Sequence, residues 1–135
     1  SERTDLLWEH TCFEAFVAGA GDSAYREYNF SPCGQWAAYA FSDYRQRDDS
    51  LVLIDAPQIV SRLHAGRFEI EALLAPGALP ACAGGLQIGL AAVIEAADVV
   101  DGSHSYWALR HPALRPDFHH REAFTLELGG PRNSD

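Results

Sequence analysis

The sequence predicts an all-β fold, an antiparallel β-sandwich of jelly-roll or immunoglobulin-like arrangement, on three observations. Apolar and polar residues alternate with a period of two along most of the chain. Glycine- and proline-containing turn signals separate the alternating runs. No segment of helical period is long enough, or capped well enough, to read as a helix of three turns.

In order, residues 11–17 form the first strand, with Phe13, Ala15 and Val17 on one face and Cys12, Glu14 and Phe16 on the other. The turn Gly19-Ala20-Gly21-Asp22-Ser23 leads to residues 25–30, where Arg26, Tyr28 and Phe30 oppose Tyr25, Glu27 and Asn29. After Ser31-Pro32-Cys33-Gly34 comes an aromatic-rich third strand, 36–41, which completes a meander. Residues 45–50 are polar and read as a loop. Residues 51–54 and 59–64 are short strands separated by Asp55-Ala56-Pro57, and 67–74 alternates cleanly. A Pro/Gly turn region with room for one helical turn, 75–85, precedes a long apolar strand, 86–95, expected to be buried on both faces or close to it. An acidic loop (98–103), a strand (105–110), a long irregular loop (111–120) and a closing strand (124–128) finish the chain.

The 135 residues suit a single domain able to bury a core. All ten basic side chains are arginine; there is no lysine, which excludes a Walker-type phosphate loop, Schiff-base chemistry and a Ser-Lys nucleophile. A net charge of −9 argues against nucleic-acid partners and anionic membrane surfaces. The uncharged run from Ala72 to Ile94 is interrupted by Pro76, Gly77, Pro80, Gly84, Gly85 and Gly89 and is not a membrane span. Cys12, Cys33 and Cys82 are odd in number and lack C-x-x-C spacing, which fits neither a disulfide framework nor a zinc knuckle and leans toward a reducing, cytoplasmic compartment. Methionine is absent even at position 1, which reads as a processed or trimmed start.

Few residues carry chemistry. Trp8, just outside the first strand, and Phe118, in the long loop, are aromatics that either cover a sheet edge or offer stacking platforms to the C–H face of a sugar. Glu14 interrupts an apolar strand. Glu27 reads as an outward-facing polar position, although the two together would suit the acid and nucleophile of a glycoside hydrolase if close enough. His111, His119 and His120 crowd one loop with Asp117, but no H-x-H or H-E-x-x-H spacing exists, so solvated loop histidines are expected. Asp98 and Asp101, or Asp22, offer calcium sites without an EF-hand pattern. No G-x-S-x-G elbow or cysteine-nucleophile signature occurs.

Trp8-Glu9-His10-Thr11-Cys12-Phe13-Glu14-Ala15-Phe16, followed by Tyr25-x-Glu27-Tyr28-Asn29-Phe30-Ser31-Pro32-x-Gly34, resembles the DOMON-like superfamily, in particular its branch similar to family 9 carbohydrate-binding modules. Ser105-Tyr106-Trp107, Asp117-Phe118 and the strand at Phe124 look like that family's closing strands and joining loop. The resemblance implies a non-catalytic module holding a saccharide between aromatics at one end of the sandwich. Trp8 and Phe118 would stack on the sugar, and Glu14 and Asn29 would bind its hydroxyls. Phe118 stands where the family has a second tryptophan, and the family's site lysine has no counterpart. The resemblance also implies further strands ahead of Trp8, where this sequence has few residues; if those strands are missing from the molecule, a sheet edge is expected to be open to pairing with another chain or a neighbouring domain.

Three alternatives stay open. Other DOMON relatives bind haem through methionine with histidine or lysine; here only a bis-histidine arrangement drawn from His10, His111, His119 and His120 would serve. A glycan-processing enzyme would use Glu14 and Glu27. An interaction domain with a decayed pocket would use neither.

Overall fold

Strict alternation in the first three strands gives one sheet two apolar faces, and the rest of the chain divides to cover both. In the computed structural model, which describes residues 2–49, 55–81, 84–96 and 103–129, β1 (Cys12–Gly19), β2 (Tyr25–Phe30) and β3 (Trp36–Asp43) form the expected meander. Its second turn needs Gly34, whose φ of 90° is costly for any side chain. The polar segment expected to be a loop instead turns at Tyr44–Arg45 and returns as β4 (Gln46–Asp48), paired with β3. Polar alternation of this kind suits an edge strand, which needs no buried face.

The chain then leaves the sheet. β5 (Gln58–His64) and β6 (Arg67–Leu73) make a separate two-stranded hairpin laid over one face. A 3-10 turn at Pro76–Ala78 follows, and β7 (Leu86–Glu95) rejoins the main sheet antiparallel to β1. β8 (His104–Ala108) and β9 (Leu126–Leu128) both pair with β7, end to end along the same side. The sheet order is β4-β3-β2-β1-β7-β8, with β9 beside the first part of β7. The fold is therefore an all-β antiparallel sandwich with one large and one small layer. The candidate strand at 51–54 lies outside the described residues. No helix among the described residues is long and apolar enough to cross a membrane.

On the hairpin face, Val17, Tyr28, Phe30, Trp36 and Ala38 pack against Ile59, Ile70, Ala72 and Ala78, and the Phe13 and Phe68 rings stack at 5.7 Å. On the opposite face, Cys12, Phe16, Tyr25, Tyr39 and Phe41 are covered by Leu7, Ala123, Phe124 and Phe118. That cover comes from a 3-10 turn at Leu7–Glu9 and from the connection between β8 and β9, which ends in a 3-10 turn at Arg121–Ala123. Full burial of a ring such as Phe16 contributes about 1.5–3 kcal/mol.

Three expectations change. β7 is not buried on both faces: only Gly89 and Val93 are, and Leu90 is exposed, because the hairpin reaches Leu86 and Ile88 but goes no further along the strand. The closing strand begins at Leu126, because Phe124 turns into the core above Phe16, with ring centroids 5.9 Å apart. The residues ahead of Trp8 are also in use. Thr4 N–H donates to Trp36 O (2.8 Å) and Trp36 N–H to Glu2 O (3.0 Å), a parallel bridge that covers the start of β3 while β4 covers its end.

Candidate functional site

Register brings the acids together. Glu14 on β1 lies directly opposite Asn29 on β2, and Glu27 lies opposite Phe16, two positions along and on the same face. The β8–β9 connection passes over this face and leaves an open cleft of about 740 Å³, within the usual range for small-molecule sites. Glu14 and Glu27 line it, with Phe41, Tyr106 and Phe118 as aromatic walls and Arg45, Arg47 and Arg115 as the cationic members.

Both carboxyls are nearly inaccessible, 6% exposed for Glu14 and 5% for Glu27. Burial, the larger cause, and the charge of Glu27 together raise Glu14 to a pKa of about 8. Burial raises Glu27 to about 7, partly offset by Asn29, Arg47 and Arg45. Glu27 thus ionises first, and its charge then weighs on Glu14. Asn29 lies close enough to ease the ionisation of Glu27, although neither its Nδ2 nor its Oδ1 makes a hydrogen bond of good geometry. No hydrogen bond reaches the Glu14 carboxyl among the described residues. Desolvation, with Glu14 and Glu27 nearby, pushes the neighbouring Cys12 thiol far up, so it is no nucleophile.

His119 connects the covering loop to the floor. Arg45 N–H donates to the Tyr25 hydroxyl oxygen (3.0 Å), and that hydroxyl stands 2.9 Å from His119 Nδ1. The Tyr25 proton therefore points at Nδ1, which leaves Nε2 protonated and 3.3 Å from Glu27 Oε1. Burial first, then the Arg45 charge, lowers His119 to a pKa of about 4, so the ring is neutral at pH 7. It packs edge-on against Phe16 and Phe41, with centroids 5.0 Å away in each case. Outside it, Asp117 holds the β3–β4 turn by accepting from Tyr44 Oη and from Arg45 at 2.9 Å. His119 is expected to be a solvated loop residue; it is instead half-buried at the cleft wall, packed on the aromatic rings of the core.

The predicted site residues fare differently. Glu14 and Phe118 meet in the cleft, where Phe118 leans on Tyr106 (6.3 Å) and His111 (6.0 Å). Asn29 adjoins Glu14 but is fully buried and outside the cleft wall, so it supports the floor. Trp8 is in the Leu7–Glu9 turn, and its side chain lies outside the described residues. Glu27, expected to face solvent, is buried, because the loop covers its side of β2. The arginines and Tyr106 carry no local signal; the pairing of β3–β4 and β7–β8 brings in Arg45, Arg47 and Tyr106, and the passage of the β8–β9 connection brings in Arg115.

Of the histidines considered for haem, His119 has both ring nitrogens engaged, His10 meets Glu95 at 2.9 Å, and His120 accepts from Glu122 N–H. Among the described residues no three His, Cys, Asp or Glu side chains group as a metal would need, and Asp98 and Asp101 fall outside them. No protein-family model, curated protein or solved structure matches the chain.

Proposed function

We propose that the chain is a non-catalytic ligand-binding module that takes a saccharide in the cleft over β1 and β2. One observation carries this reading: two buried carboxyls, Glu14 and Glu27, floor an open cleft walled by Phe118, Tyr106 and Phe41. Buried carboxyls held this far from their ordinary ionisation are costly to folding and concentrate at functional sites. A sugar satisfies both halves of the wall, since its hydroxyls pair with carboxyl oxygens while its C–H face lies on a ring. Phe118 serves as the platform, Glu14 and Glu27 as hydroxyl partners, and Asn29 and His119 as positioning residues for Glu27.

Calorimetric titration with mono- and oligosaccharides tests it. Saturable binding weakened at least about tenfold in both Phe118→Ala and Glu14→Gln is expected; affinity unchanged by either substitution removes this site.

A second reading, a glycan-processing enzyme, is favoured by the register, which sets two buried carboxyl residues on the same face of adjoining strands in one cleft. Burial raises both acids, and the charge of Glu27 adds to the shift of Glu14, which makes Glu14 the candidate proton donor. Turnover of aryl glycosides by wild type, lost in Glu14→Gln, supports it; binding without turnover leaves the module reading.

A further inference from the structure

The cleft is cationic in a protein whose net charge is −9. Arg45 and Arg47 reach it from the β3–β4 hairpin, and Arg115 from the covering loop. Arg45 is spoken for by Asp117. Arg47 makes no ion pair among the described residues: its guanidinium lies over the Tyr39 ring, 4.3 Å from the centroid, between the cleft and a second hollow bordered by Asp5, Asp48 and Asp49. Arg115 is exposed and has no ion pair among the described residues. The floor does not cancel this charge, because burial keeps Glu14 protonated and Glu27 only partly ionised near pH 7. Two guanidinium groups without an ion pair among the described residues, above a low-dielectric concave floor, focus a positive potential inside the cleft.

We infer that the cleft prefers an acidic saccharide, a uronate, whose carboxylate is held by Arg47 and Arg115 while its ring hydroxyls face Glu14 and Glu27. This rests on the saccharide reading and adds the charge of the ligand. The planar carboxylate matches the guanidinium fork. A single negative charge is the fit: a phosphate dianion would set a second charge against Glu27 as that residue ionises.

The test is titration of the full chain with glucuronate and galacturonate, beside glucose, galactose and the uronate methyl esters, at low and high sodium chloride. Uronates are expected to bind about tenfold more tightly than their neutral parents and esters. The preference should shrink with salt and fall in Arg47→Ala and in Arg115→Ala, each of which should weaken uronate binding more than neutral-sugar binding. Equal affinity for uronate and parent overturns the inference and leaves the saccharide reading standing. A uronate preference that survives both substitutions overturns it too. Absence of binding by every sugar overturns both.

Discussion

His119 Nε2 lies 3.3 Å from Glu27 Oε1, and through this contact the loop that shapes the cleft is tied to the carboxyl at its floor. The other ring nitrogen is tied to Tyr25, so one side chain links the loop to two positions of β2. Loop and floor are therefore joined by a direct side-chain contact. Protonating His119 would cost Nδ1 its acceptor role toward Tyr25, and removing the ring would leave two buried polar groups without it.

Glu14→Gln tests the burial of the acids. Both carboxyls are raised above their ordinary values, so between about pH 4.5 and about pH 8 the native state holds protons that the unfolded chain has released. Their contribution to stability is complete below the lower limit and is lost as pH rises. Thermal melts should show wild-type Tm falling from about pH 6.5 to about pH 8, above the range in which His119 acts in the opposite direction, and Glu14→Gln falling less and melting higher than wild type at the alkaline end. A wild-type Tm that rises with pH there, with no difference in the variant, contradicts the assignment.

His119 has the opposite sign. Its pKa is depressed from 6.5 to about 4, so its contribution is present above the higher value and lost as pH falls toward the lower. His119→Ala should cost roughly 2–4 kcal/mol at neutral pH, from a Tyr25 hydroxyl proton left without its acceptor, the lost contact to Glu27 and the space left between Phe16 and Phe41. Urea denaturation measures this, and the acid limb of stability should flatten in the variant.

Asp117→Asn separates anchoring from charge. The amide still accepts from Tyr44 but loses the ionic contact to half-exposed Arg45, which is worth about 1 kcal/mol or less. Global stability should hardly move. Hydrogen exchange in residues 111–120 should accelerate, and uniform protection there would mean that the ion pair does not hold the loop.

The covering connection also depends on a missing side chain. A Cβ at Gly89 would meet Phe124 Cδ1 at 3.1 Å and the Ala123 carbonyl oxygen at 3.2 Å. Backbone cannot yield as a flexible side chain can, so Gly89→Ala should cost about 1–3 kcal/mol and disturb the 3-10 turn above it. A spectrum and denaturation midpoint matching wild type would show that this approach is slack.

The large sheet was legible because period-two alternation with intact turns leaves little choice over residues 12–41. What stayed hidden was which face each polar residue would find covered. Glu14 shares its face with apolar Cys12 and Phe16 and so gives some sign of burial, whereas Glu27 gives none, and only the long-range passage of residues 109–125 over β1 and β2 covers both. His119 was misjudged for the same reason: its neighbours in sequence are polar, while its neighbours in space are Phe16, Tyr25 and Phe41. The β4 strand was missed because edge strands need no apolar residues.

β8 and β9 are anchored almost side by side on β7, with Leu109 N–H donating to Leu90 O and Leu126 registered on Ile88. The segment between them carries Arg115, Phe118 and His119, and its ends are held only two positions apart. Closing such a segment costs only about 0.6 kcal/mol more for each doubling of its length. The scaffold can therefore accept replacements of different size and composition at 110–116, ahead of the Asp117, Phe118 and His119 contacts, without reorganising its sheets. Grafting new loops there, onto the same two anchors, is a practical route to varying the cleft wall while the packing below it is kept.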